Sequence, residues 1–228
     1  MLLLGIDTCG ATGSVALCRF ADDAGQYPSA DKLEVLSEAE LPGKSYSALL
    51  LLTVREMLEQ AGRRLSDLSA LVVVNGPGSF TGVRVGVSAA KGLAESTGLP
   101  VIAVSRLAVL AAKAGKGMVC AAIDAGRGEF YAGFYGDGGP GREALVGRVE
   151  ILAQAGEGIR FVVCEAAAAE SLALLEPLLV EAPTAAEAVR SAWPRMAERD
   201  FDDVVRLDGN YLRRSDAEIF AKTRPAPV

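Results

Sequence analysis

Two short segments of this 228-residue chain hold residues able to do chemistry with a metal or a phosphate. Leu4-Gly5-Ile6-Asp7-Thr8-Cys9-Gly10 ends an apolar run in an aspartate and a turn, and Ala121-Ala122-Ile123-Asp124-Ala125-Gly126-Arg127 repeats the pattern in the second half. Acids at matching corners can supply the oxygen ligands that Mg²⁺ requires. Gly10, Gly13, Gly126 and Gly128 would let phosphates come close to the backbone, which makes Asp7, Thr8, Gly10 and Asp124 the candidate cofactor-binding residues. The same carboxylates can instead cap their own turns by accepting backbone N–H bonds. A third segment, Val72-Val73-Val74-Asn75-Gly76-Pro77-Gly78-Ser79-Phe80-Thr81-Gly82-Val83-Arg84, runs an apolar strand into a glycine-rich loop that opens a helix near Gly82. Such a loop can hold an anion on its N–H groups. It can equally be a tight strand-to-helix turn in which the glycines take positive φ.

Composition removes whole classes of chemistry. There is no histidine, so Ser-His-Asp and Cys-His arrangements, histidine bases and His-containing zinc sites are all excluded. Cys18, Cys120 and Cys164 sit among apolar residues and read as core residues in a reducing compartment, whereas Cys9 lies in a loop, where exposure is open to it, with no neighbouring base to activate it. A kinase also needs charge clamps on the phosphoryl group, and near the loops the sequence offers Arg84 and Arg127. A net charge of −6 argues against a broad nucleic-acid surface. Met1-Leu2-Leu3-Leu4 is too short for a signal-peptide core, and no apolar run reaches the roughly 20 residues of a membrane span, so a cytoplasmic protein is expected.

The elements that must position these residues follow from periodicity. Strands are expected at 2–7, 14–20, 32–41, 70–75, 101–104, 118–124, 129–135 and 160–164, with a loop at 21–30. Helices are expected at 45–61, 82–97, from Ser105 to about 114, at 167–179 and at 185–198. The helix at 45–61 carries Tyr46, Leu49, Leu50, Val54, Met57 and Leu58 on one face, but Ala48, Leu51 and Leu52 fill the other side of its first half. A helix apolar nearly all round is buried on two sides, by its own domain and by a further layer or a partner. The lysine- and glycine-containing stretch at 114–117 divides the chain into units 1–114 and 115–228.

A hairpin with an acid at its first turn, present twice, is the arrangement with which actin-like and sugar-kinase-like ATPases hold a magnesium nucleotide between two lobes. The expected fold is therefore α/β, with two ribonuclease H-like, actin-like half-domains, each a mixed sheet flanked by helices. The string Gly76-Pro77-Gly78-Ser79-Phe80-Thr81-Gly82-Val83-Arg84 closely resembles the hallmark of the TsaB (YeaZ) family. Ile6-Asp7-Thr8, Gly98-Leu99-Pro100-Val101-Ile102, Val104-Ser105, Ile123-Asp124-Ala125, Gly128-Glu129-Phe130-Tyr131 and Tyr211-Leu212-Arg213 agree with it in order and spacing. The resemblance implies an inactive paralogue of TsaD, the subunit that transfers threonylcarbamoyl from its adenylate to the tRNA adenosine next to the anticodon. Where TsaD carries two metal-binding histidines, the matching positions here are Arg106 and Leu110.

By the same resemblance the partners are a TsaD-like catalytic subunit and a TsaE-like ATPase, with no direct grip on tRNA. The interface implied is a bundle of the helices at 45–61 and 82–97, with Tyr46, Leu49, Leu50, Thr53, Val85, Ala89 and Gly92 as contacts. Alone, the same surface would pair two copies. No catalytic residue or metal is implied, and the only cofactor role left is weak nucleotide binding at the partner interface. The chain departs from the family pattern at Tyr46, Leu52 and Gly126, which bears on details of that interface. Two other readings compete: an independent small-molecule kinase or ATPase using Asp7 and Asp124, and a peptidase, which the missing histidine nearly excludes.

Overall fold

A computed structural model describes residues 1–20, 32–136, 141–154, 156 and 158–212. The loop expected at 21–30 and the tail with Arg213 lie outside the described residues. Strand β1 (Leu2–Asp7) is buried at every position and sits at the centre of the first sheet. It pairs antiparallel with β2 (Thr12–Phe20), which pairs antiparallel with β3 (Leu33–Pro42). On its other side it pairs parallel with β4 (Ala70–Val74), which pairs parallel with β5 (Val101–Val104). The order is β3-β2-β1-β4-β5.

The second sheet repeats this scheme. It contains β6 (Val119–Gly126), β7 (Glu129–Tyr135), β8 (Arg142–Gly147), β9 (Arg160–Val163) and β10 (Leu178–Leu179), in the order β10-β9-β6-β7-β8. Again the first three strands are antiparallel and the last two add in parallel. A hairpin followed by parallel strands reached through helical crossovers, present twice, makes two ribonuclease H-like, actin-like lobes.

Side chains of β1 alternate between two helical layers. Helices α1 (Tyr46–Gln60) and α2 (Phe80–Thr97) cover the face of Ile6, and α6 (Ala185–Ser191) covers the face of Gly5. A methyl group on Gly5 would lie 2.6 Å from the Ala185 carbonyl oxygen, so glycine is what lets α6 lie flat on the strand. Helix α7 (Trp193–Glu198) continues this layer, its Trp193 ring stacked 3.9 Å from Phe20. Helix α3 (Arg106–Ala112) lies between the lobes and packs on β6, β7 and α6.

Three expectations change. A boundary at residue 114 does not divide the packing, because Ala185, Ala188, Val189, Trp193, Met196 and Leu207 belong to the core of the first lobe. The chain crosses to the second sheet and returns. The helix expected at 167–179 is broken into α5 (Ala166–Ser171), a 3₁₀ turn at Ala173–Leu175 and β10. Alanines favour helix, but Pro177 cannot continue one and Glu176 takes a left-handed conformation with φ of 46°. Strand β8 and α4 (Arg148–Ala153) were not expected, since their short, charge-flanked stretches carry little periodic signal. Among the described residues no helix is long and apolar enough to cross a membrane.

Candidate functional site

At the first corner, β1 delivers Asp7 into the turn, where its Oδ1 accepts the Cys9 N–H at 2.8 Å. Thr8 donates its hydroxyl to the Gly82 carbonyl at 2.6 Å, tying the turn to the start of α2. Cys9 is buried in spite of its loop position, and its thiol donates to the Val74 carbonyl at 3.2 Å. Burial and the neighbouring Asp7 push that thiol well above its ordinary pKa, so no reactive thiolate stands here.

The glycine loop is spent on this same contact. The Ser79 N–H donates to the Cys9 carbonyl at 2.8 Å, and Ser79 caps α2 by accepting the Gly82 N–H at 3.3 Å. A Cβ on Gly82 would collide with the Thr8 carbonyl oxygen, and one on Gly86 with the Thr8 hydroxyl. Of the two readings open in the sequence, the tight turn accounts for these contacts: the glycines let α2 close onto the first corner, and the N–H groups of Ser79, Gly82 and Val83 have partners within the protein.

Arg106 completes the corner. Ser105 caps α3 by accepting the Leu107 N–H, the Arg106 N–H donates to the Gly76 carbonyl at 2.7 Å, and the side chain enters the space beside Asp7. Its Nε lies 3.6 Å from Asp7 Oδ2; Asp7 is 1% exposed and Arg106 5%. Burial raises the Asp7 carboxyl above its ordinary range, against the pull of Arg106 and the Cys9 N–H. Burial is the largest influence on Arg106 and opposes its charge, but Asp7 together with Cys9, Cys164 and Glu165 outweighs it and the guanidinium stays protonated. Asp124 meets different surroundings: it is exposed, and its Oδ1 accepts the Gly126 N–H at 2.7 Å.

Between the lobes lies an open cleft of ≈ 630 Å³. Gly10, Lys44, Tyr46, Ser79 and Arg106 line one wall, and Asp124, Tyr131 and Glu165 the other. A divalent cation would need several free oxygen donors here. Asp7 has one oxygen on a backbone N–H and the other facing a guanidinium, and among the described residues no group of three or more His, Cys, Asp or Glu could hold a metal. The residues do not fit a metal centre.

The residues expected at a partner surface divide in two. Tyr46 and Leu50 are buried inside the first lobe, and the Tyr46 hydroxyl donates to the Gly10 carbonyl at 2.9 Å. Leu49, Thr53, Val85 and Ala89 are half-buried and Gly92 is open. The outward side of α1 is carried by Ala48, Leu51 and Leu52, with Leu51 55% and Leu52 39% exposed. Phe80, at the start of α2, is also exposed and carries the Arg84 guanidinium 3.8 Å over its ring. Arg84 thus stacks on an aromatic ring instead of facing either acid corner.

Lys44 and Glu165 were missed as cleft residues, and Arg106 was weighed as a metal-site replacement without its pairing to Asp7. Its signal was present, because Arg106 is the lone charge opening the apolar run Leu107-Ala108-Val109-Leu110-Ala111. A charge on an otherwise buried helix implies a buried counter-charge.

A family model described as TsaD, tRNA N6-adenosine threonylcarbamoyltransferase, matches residues 38–155. The tRNA threonylcarbamoyladenosine biosynthesis protein TsaB of Bacillus subtilis is 37% identical over 137 residues, 59% of this chain and 55% of the relative. The protein of the same name from Escherichia coli is 38% identical over 135 residues, 58% of this chain and 53% of the relative. The matches thus span about half the length of these two relatives. Among solved structures, YeaZ from Pseudomonas aeruginosa superposes with a TM-score of 0.74 at 28% identity, covering 92% of this chain and 99% of that one. With the doubled lobe and the glycine-loop string already in place, these matches identify the chain as a member of the TsaB (YeaZ) family, within the wider group that the TsaD model describes.

Proposed function

We propose that this chain is a non-catalytic subunit that binds a TsaD-like catalytic subunit and activates it for transfer of threonylcarbamoyl to the tRNA adenosine next to the anticodon. The observation that carries this reading is the apolar outward side of α1, where Leu51 and Leu52 stand in solvent beside Ala48. Exposed leucines on a helix whose other face is already in the core are what a second pair of helices would cover. The cleft supports the same reading, because the first-corner carboxylate is engaged by Arg106 and the chain has no histidine. A kinase or ATPase would need both aspartates available to a metal.

In this reading a TsaE-like ATPase joins the pair in the cytoplasm, and the acidic chain, with a net charge of −6, leaves the tRNA to its partner. The isolated chain pairs with itself through the same surface, and nucleotide binding, where it occurs, is confined to the shared interface. The test is light scattering on the chain mixed with the TsaD-like subunit of the same organism. The wild-type chain forms a heterodimer. Leu51→Asp unfolds at the wild-type temperature but binds the partner at least ~100-fold more weakly, since a charge is buried without a counter-ion. Undiminished binding by folded Leu51→Asp would overturn this choice of surface.

A further inference from the structure

We infer that Arg106 is the resident cation of the interlobe cleft: its guanidinium stands beside Asp7, the carboxylate that a metal-holding corner would offer to a divalent ion, and Gly10 leaves it room. The geometry is specific. A Cβ on Gly10 would lie 2.6 Å from Arg106 Nη2 and 2.7 Å from the Thr12 carbonyl oxygen, so a side chain there would press on the guanidinium and on the backbone of the turn together. The backbone of Arg106 is fixed by its N–H bond to the Gly76 carbonyl, and Gly76 has φ of 107°, in the region that favours glycine. The glycine loop therefore holds the arginine as well as α2.

The pair is an ion pair without a direct hydrogen bond. Arg106 Nε is buried and has no hydrogen-bond partner, while the distance to Asp7 Oδ2 is 3.6 Å. Such an arrangement keeps two opposite charges in the interior, where either one alone is poorly tolerated. Glu165, on the opposite wall, adds a second acid to the field around Arg106. A permanent cation in this position repels a metal ion from the buried Asp7 carboxylate. The guanidinium then stands in for a metal cation, and Asp7 keeps its turn-capping bond.

The pairing of Arg106 with Asp7 lies within the isolated chain and involves no partner surface. Its test is a double-mutant cycle on the 228-residue chain, read by thermal unfolding. Arg106→Gln lowers Tm by roughly 10 °C. Adding Asp7→Asn to it restores more than half of that loss, because the orphaned carboxylate is the damage. If Arg106→Gln does not accumulate as folded protein, recovery of a folded double variant is the expected result. A double variant no more stable than Arg106→Gln would overturn the pairing. Manganese titration of the wild-type chain gives the second readout. No Asp7-dependent binding is expected up to millimolar metal, and binding that Asp7→Asn abolishes would overturn the inference.

Discussion

At the first corner Asp7 accepts the N–H of Cys9 at 2.8 Å, and at the second Asp124 accepts the N–H of Gly126 at 2.7 Å. Asp7 ends and Asp124 lies two residues from the end of the central strand of a sheet built in the same order, and both cap the turn two residues on. There the likeness stops. The first corner is sealed by α2, by the Tyr46 ring and by Arg106, whereas a Cβ on Gly126 or Gly128 would meet nothing within 4 Å. A repeated motif therefore preserves local backbone geometry without preserving chemistry. The difference is made by what packs against each turn: a long helix opened by a glycine loop in one lobe, solvent in the other.

The comparison breaks most visibly at the buried charges. Asp7→Asn leaves Arg106 uncompensated and is expected to cost about 3–5 kcal/mol in denaturant unfolding. Next comes the seal itself. Gly82→Ala drives a methyl into the Thr8 carbonyl and should cost about 3 kcal/mol, while Gly126→Ala, with a φ of 76° but open space, should cost about 1 kcal/mol. Equal costs in the same unfolding experiment would mean that the first corner is no tighter than the second.

Thiol chemistry sharpens the contrast at smaller scale. Burial raises Cys18 and Cys120 from 9.0 to about 12 and Cys164 to about 11. A thiol whose folded pKa is raised contributes stability in full below its unfolded pKa, and the contribution is lost as pH climbs through the folded value. Stability should accordingly hold up to about pH 9 and fall above it, and replacing Cys120 by Ser should flatten that fall in a pH series of unfolding curves. In the native state at pH 8, Cys164, which is half-buried, should react with a thiol reagent before the fully buried Cys9. The smallest effect belongs to Asp124→Asn, within about 0.5 kcal/mol of wild type, because asparagine offers the same turn a carbonyl acceptor.

Much of this was legible in the residues. The buried strand Leu2–Asp7, the strand Val101–Val104 and the returning strand Glu129–Tyr135 have the expected bounds, because unbroken or alternating apolar runs between turn residues leave little choice. The doubled acid corner was visible as a repeat. The route of the chain after Leu179 was not, since an alanine-rich helix can pack on either sheet and only the surface left open by β1, β2 and β4 selects the first. The outward face of α1 was also misjudged through Tyr46 and Leu50, because a helix apolar on both sides does not say in its sequence which side meets its own sheet. The pairing of Asp7 with Arg106 spans nearly a hundred residues, and periodicity carries no information about such a contact.

Under the proposed function this molecule contributes a surface and not a cleft. The most direct measurement is threonylcarbamoyl transfer to tRNA by a reconstituted TsaD-like system, supplied in turn with wild-type chain, Leu51→Asp and Asp124→Asn. Transfer should be lost with Leu51→Asp and stay close to wild type with Asp124→Asn. Full transfer with Leu51→Asp together with its loss in Asp124→Asn would place the chemistry in the cleft and contradict the account.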